Sequence, residues 1–343
     1  IFAYTTVRNG PNDYTVTNTE TISVIKQKNP NYDDDGDFFN INNKRQITGI
    51  YVTGTAQFPV LYVTSSDYRI GGGPVGADKG LDTNSSVISR LTWTGTIWDH
   101  VQLVRGLPRS EENHSVNGMA LDEATNTLYV TVGGSTNAGG PSNNFAFITE
   151  YVYSGTILAV DLTQLDNDYP VQSEVVGGQT IKFQYTLPTL DDPTRPNVNG
   201  IVDPADPGYD GIDVGDPHGG NDGLNQAKID PGGPVSIYST GWRNPFDIVL
   251  TESGKLYSVD NGANEEWGGY PEFEGQPTCT NNWQVGEPGS SGPTADEGQV
   301  NNLDNLHYIT GEGFYAGHPV PIRGNPAGAG LFTHSTSGGG TDG

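Results

Sequence analysis

Leu61-Tyr62-Val63-Thr64, Leu128-Tyr129-Val130-Thr131 and Leu256-Tyr257-Ser258-Val259 open three short runs with the same Leu-Tyr pair, and the second interval is roughly twice the first. Each run is rich in β-branched and aromatic residues and is bounded by Gly, Asn, Asp or Pro. That is the composition of a strand laying its pleat against a core. A unit made only of short strands and recurring at a fixed interval predicts the blades of a β-propeller.

Outward from these runs the same signal recurs at 21–25, 48–53, 87–92, 155–162, 181–185 and 235–239. Only 161–166 has a period that would suit a helix as well, so the chain reads as all-β. Residues 187–234 and 268–303 are rich in Gly, Pro, Asp and Asn and lack strand periodicity, which makes them long insertions on one rim of the scaffold. Residues 1–343 then form a single propeller domain with room for about four blades. The glycine-rich stretch 338–343 reads as a break in a loop, and Ile1 as the start of a mature or excised fragment.

Composition limits the partners. Lys and Arg number 16 against 41 Asp and Glu, a formal net charge of -25, which disfavours nucleic acid and anionic membranes. No run approaches the eighteen apolar residues of a membrane span. Cys279 is alone, so neither an internal disulfide nor a cysteine-only metal site can form. Acidity with few Lys and abundant Asn, Thr, Gly and Ser suits an extracellular or cell-surface protein whose loops are held by calcium.

Several constellations could carry chemistry. Asp33, Asp35 and Asp37 alternate ahead of and behind Gly36, as in a loop that aims carboxylates at calcium, although Asn42 stands where a closing Glu is expected. Asp203, Asp206, Asp210, Asp213, Asp216 and Asp222, with Asn221, form a second candidate, because such charge density repels itself without a cation. A solvated acidic loop is the alternative for both. His114, in a polar loop beside Asn113 and Glu112, is either a base near neutral pH or a surface histidine. Arg243, between Trp242 and Asn244-Pro245, is either aimed at an anionic or carbonyl oxygen of a ligand or bonded to loop carbonyls. Gly262, Ala263 and Asn264 follow a strand, where a glycine turn can direct oxygens at an ion or simply close a hairpin.

Taken in order, these pieces resemble the soluble quinoprotein glucose/sorbosone dehydrogenase family over about residues 46–319. Three blocks carry the resemblance: Leu103-Val104-Arg105-Gly106-Leu107-Pro108 leading through His114 to Leu128-Tyr129-Val130-Thr131-Val132-Gly133; Gly241-Trp242-Arg243-Asn244-Pro245 followed by Asn261-Gly262; and Asp304-Asn305-Leu306 followed by Gly313-Phe314-Tyr315-Ala316-Gly317-His318-Pro319. The resemblance implies a six-bladed propeller that oxidises a sugar with pyrroloquinoline quinone (PQQ) and calcium. His114 would take the proton of the C1 hydroxyl while hydride passes to the quinone. Arg243 would polarise the quinone oxygen, Asn244 and Gly262 would contact the cofactor, and the backbone at Gly262, Ala263 and Asn264 would help hold calcium.

The sequence departs from the family at Asn113, at Met119 after Gly118, at Ala263 and at His318, which stands in place of a Trp. The competing expectation is a non-catalytic, calcium-stabilised propeller for adhesion or glycan binding within a modular surface protein. With six blades as template, the ring would be incomplete, its remainder supplied by further polypeptide or by another chain.

Overall fold

The computed structural model describes residues 1–33, 37–71, 79–137, 139, 143–145, 150, 152–191, 225–227, 229–264, 267, 303–318, 333–334 and 340–341. A hairpin of β1 (Phe2–Gly10) and β2 (Asp13–Thr21) leads into a short helix α1 (Val24–Lys28) and a small pair, β3 (Asn31–Tyr32) with β4 (Phe38–Asn40). Then come β5 (Gln46–Gly54), β6 (Pro59–Ser66), β7 (Ser86–Trp93) and β8 (Trp98–Leu107), paired in sequence as an antiparallel meander.

A second meander follows, of β9 (Val116–Asp122), β10 (Thr127–Val132) and β11 (Thr156–Asp161). Helix α2 (Leu162–Asp168) starts where the Asp161 side chain accepts from the Gln164 N–H, an ordinary N-cap. The chain then returns to the first sheet as β12 (Gln172–Val176) and β13 (Gln179–Thr186), with β13 parallel to β8. After the short pair β14 (Thr189–Asp191) and β15 (Asn225–Ala227), β16 (Val235–Thr240) completes the second sheet beside β11. β17 (Pro245–Leu250), β18 (Leu256–Asp260) and β19 (Asn305–Ile309) make a third antiparallel sheet, and β20 (Phe314–Tyr315) adds to the second.

The three sheets stack through their faces. Because side chains alternate along a strand, the repeated Leu and Tyr point opposite ways. Tyr62 of the first sheet and Leu128 of the second lie in one apolar cluster with Val104, Val130 and Leu158. Tyr129 of the second and Leu256 of the third share another with Trp242, Ile248 and Ile309. Leu61 faces the other side of the first sheet, where Ile22 and Ile25 cover it. The opposite face of the third sheet leaves Val249, Val259, Leu306 and Tyr308 exposed.

The first strands of the three meanders lie against one another, and two glycines allow this. A Cβ on Gly49 would fall 2.2 Å from the Asn117 carbonyl oxygen, and one on Gly118 would fall 2.7 Å from Asp247 Cα. Thr64 Oγ1 donates to Asn117 O at 2.7 Å, and Asn117 Nδ2 donates to Pro245 O at 3.1 Å, tying β9 to both neighbouring sheets.

The all-β expectation holds, with corrections. Residues 21–25 are the end of β2 and the start of α1, where Ile22, just after the strand, and Ile25, in the helix, pack on Leu61 and Val63. The ambiguous stretch near 161–166 is helix. Among the described residues three meanders are formed, and they do not close into a ring. The stretch 187–234 holds the pair β14 and β15 and ends directly before β16.

Candidate functional site

Antiparallel connectivity gathers four loops at one end. The segment before β9, the segment after β10, the turn before β17 and the segment after β18 must emerge together, since Val116 pairs with Val132 and Pro245 with Asp260. These loops carry His114, Gly133 and Gly134, Arg243, and Asn261 to Asn264 respectively.

His114 is 3% exposed, so it is not a surface residue. Gly133 N–H donates to Ser115 O at 2.8 Å and Gly134 N–H to Arg243 O at 2.7 Å, which seats the diglycine between the two predicted residues. His114 Nδ1 is 2.9 Å from Gly134 O. A carbonyl only accepts, so the proton sits on Nδ1 and Nε2 carries the lone pair. Nε2 has no hydrogen-bond partner among the described residues and is not among the sealed polar atoms. The imidazole lies 5.2 Å from the Phe145 ring, which in turn lies 6.4 Å from Trp267. Burial, then the neighbouring Arg243 cation, hold its pKa well below the usual imidazole range, against a weaker pull from Gly134 O and Glu150. The ring is therefore neutral at physiological pH. Gly133 is required here, since a Cβ would stand 2.5 Å from Asn244 Oδ1 and 2.7 Å from His114 Cβ.

Arg243 is also 3% exposed. Its backbone N–H donates to Asp260 Oδ2 at 3.1 Å, and Asn244 N–H donates to Asp260 Oδ1 at 2.8 Å, so one carboxylate fixes the turn. Nε donates to Asn137 O and Oδ1, both at 3.1 Å, and Nη2 to Asn137 Oδ1 at 2.7 Å. Nη1 has no partner among the described residues. Burial lowers the guanidinium pKa to about 10, with Asp260, Glu112 and Glu150 opposing, and the group stays charged at neutral pH. Burial raises the Asp260 carboxyl, while the two backbone donors pull it back.

The predicted calcium turn lies beside Arg243. Gly262 N–H donates to Asp304 Oδ1 at 3.0 Å, and Asn264 is tied to Asn137 by two bonds of 2.8 Å, Asn264 N–H to Oδ1 and Nδ2 to Asn264 O. The carbonyls of Gly262 and Ala263 accept no hydrogen bond among the described residues, so they are available to a hard cation, whereas the Asn264 carbonyl is engaged. No group of three or more His, Cys, Asp or Glu side chains converges among the described residues, so an ion here would rest mainly on backbone oxygens.

At the other acidic candidate, Asp33 Oδ1 accepts from Asp37 N–H at 2.8 Å, and Asp33 N–H donates to Asp37 O at 3.0 Å, closing the turn between β3 and β4. Asp35, together with Asp203, Asp206, Asp210, Asp213, Asp216 and Asp222, lies outside the described residues.

Sequence reasoning missed Asn137, Phe145 and Glu150. Glu150 accepts from Ser135 N–H at 2.8 Å, Thr136 Oγ1 at 2.7 Å and Ser154 Oγ at 2.6 Å, and its Oε1 is 3.7 Å from His318 Nε2. All three sit in the connection from β10 to β11, whose Gly, Ser and Asn composition gives no spacing to read; the one signal was the diglycine directly after a strand. The chain matches no known family model and no curated protein.

Proposed function

We propose that the chain is a quinoprotein-type sugar dehydrogenase module, secreted or at the cell surface, built on a propeller of the six-bladed kind. The observation that carries the reading is the pairing of a neutral buried imidazole, bonded through Nδ1 to Gly134 O, with a guanidinium fixed by Asn137 whose own backbone carbonyl accepts from Gly134 N–H; His114 Nε2 and Arg243 Nη1 have no partner among the described residues. The forward-pointing Tyr and backward-pointing Leu of successive sheets support the ring architecture, since each sheet offers the same face to the next.

Calcium fits the carbonyls of Gly262 and Ala263, which accept no hydrogen bond among the described residues, and the anionic PQQ fits the Arg243 cation. When bound, PQQ supplies the redox step as a two-electron acceptor. The chain's own residues do the rest. His114 Nε2 accepts the hydroxyl proton of the sugar, and Nδ1–H on Gly134 O holds the ring in that tautomer. Arg243 presents Nη1 where negative charge develops, and Asn137 keeps the guanidinium from turning away. Phe145, packed on His114, limits water at the base.

The second reading, a non-catalytic calcium-stabilised propeller for adhesion or glycan binding, is favoured by the small exposure of His114 and the engagement of Arg243 with Asn137. Dye reduction with a panel of aldoses, after reconstitution with PQQ and calcium, separates the two. Turnover supports the dehydrogenase; PQQ uptake without turnover on any sugar, or no uptake, supports the binding module.

A further inference from the structure

The loop that delivers His114 is wrapped around a single guanidinium. Residues 109–114 have no regular secondary structure apart from turns, yet all but Asn113 are buried. A buried irregular segment must satisfy its peptide groups internally. Arg109, 1% exposed, does this for two loops at once. Nε donates to Asp67 O at 3.3 Å and Nη2 to Arg69 O at 2.7 Å, both in the loop that leaves β6. Nη1 donates to Glu112 O at 2.6 Å and to Ser110 O.

The wrapped segment closes directly onto the histidine. His114 N–H donates to Ser110 Oγ at 3.1 Å, and Ser110 N–H donates to His114 O at 2.9 Å. Arg109 N–H is itself held by Thr83 O at 2.7 Å. The buried charge is balanced locally, with Asp67, Glu111 and Glu112 the nearest acids, and Asp67 is in turn paired with Arg69 at 2.9 Å.

We propose that Arg109 is the positioning residue for His114: its planar fork, bonded to four carbonyls of two loops, holds the His114 backbone where Nδ1 meets Gly134 O. The inference rests on the reading of His114 as the base. Lysine cannot substitute, because a point ammonium with three donors does not reach four carbonyls of two loops at once.

The test is histidine-ring nitrogen NMR on the full chain, compared with Arg109→Lys and Arg109→Gln. The wild type is expected to show His114 as the single Nδ1–H tautomer. In both folded variants that signature should give way to an averaged ring, while the His100 resonances stay in place. An unchanged His114 tautomer in a folded Arg109 variant overturns the proposal, as does a wild-type ring that already averages. Should neither variant fold, hydrogen exchange in the wild type decides. The Arg109 Nε–H and the His114 amide should open together, and a His114 amide that opens independently overturns the claim. Neither readout uses turnover, so failure of the dehydrogenase reading shows separately in the aldose assay.

Discussion

Two buried polar regions of this chain look alike by composition and differ in what they leave over. In the first sheet, Asn29 Nδ2 donates to Ser65 Oγ at 3.0 Å and Ser89 Oγ at 3.1 Å, Gln102 Nε2 donates to Asn29 Oδ1 at 3.0 Å, and His100 Nε2 meets Ser89 Oγ at 3.1 Å. At the loop end, His114, Asn137, Arg243, Asn244 and Asp260 form a network of similar size. Burial depresses both imidazoles, that of His100 to about 3. The first network is closed: it ties α1 to three strands, and its leftover atoms, His100 Nδ1 and Gln102 Oε1, are sealed from solvent. The second keeps a lone pair on His114 and a cationic donor on Arg243 without a partner among the described residues. A depressed histidine thus marks burial, and only the unspent, reachable groups beside it mark a site.

Substitution of the two histidines breaks the comparison most sharply. His114→Gln is expected to lower dye-reduction turnover by about 10²–10⁴-fold with a small change in Tm. His100→Gln should lower Tm and leave turnover per folded molecule unchanged. Equal effects of both on turnover would remove the distinction.

Trp242 joins the site to the core, since it is fully buried, donates from Nε1 to Ser239 Oγ at 2.8 Å and packs edge-on against His307 at 5.0 Å. Trp242→Ala is expected to cost roughly 3–5 kcal/mol in denaturant unfolding. Gly133→Ala should cost roughly 1–3 kcal/mol, because its Cβ overpacks His114 and Asn244, with a disproportionate loss of turnover. A variant with normal kinetics would show that the diglycine does not set the site.

The pH profile sharpens the contrast between buried acid and buried base. His100 is neutral when folded and protonated when unfolded between pH about 3 and its ordinary value, so stability is lost as pH falls below about 6.5. Asp82 runs the other way. Burial raises its folded pKa to about 7, so the folded state holds a proton that the unfolded state lacks, and stability falls as pH rises through roughly 4 to 7. Asp82→Asn removes that opposing limb and should steepen the acid loss of stability by up to about 1.4 kcal/mol per pH unit between pH 4.5 and 6.5. An unchanged slope in urea unfolding would place Asp82 outside the balance.

How much of this was legible depended on locality. The Leu-Tyr runs, with alternating faces and turn residues at each end, fixed strands and class because both signals are carried within a few residues. β8 and β9 escaped the strand reading, although Leu103 to Leu107 was quoted within a motif block and Met119 after Gly118 as a departure from the family, because turn residues and charges break their alternation. The parallel addition of β13 to β8 was hidden, since it depends on a return across the whole of the second meander. His114 and Arg243 were legible as rare types in polar turns. Asn137, which aims Arg243, was not, because an amide in a glycine-rich connection gains its role only from the tertiary approach of Asn264.

The central claim, that the unspent groups of His114 and Arg243 form a cofactor-dependent site, is tested most directly by calorimetric titration of PQQ into the full chain with calcium, for the wild type and Arg243→Met. The account predicts uptake of one PQQ per chain, weakened at least tenfold in Arg243→Met and absent when calcium is chelated. Absence of uptake by the folded wild type with calcium present, or uptake indifferent to Arg243, would contradict it.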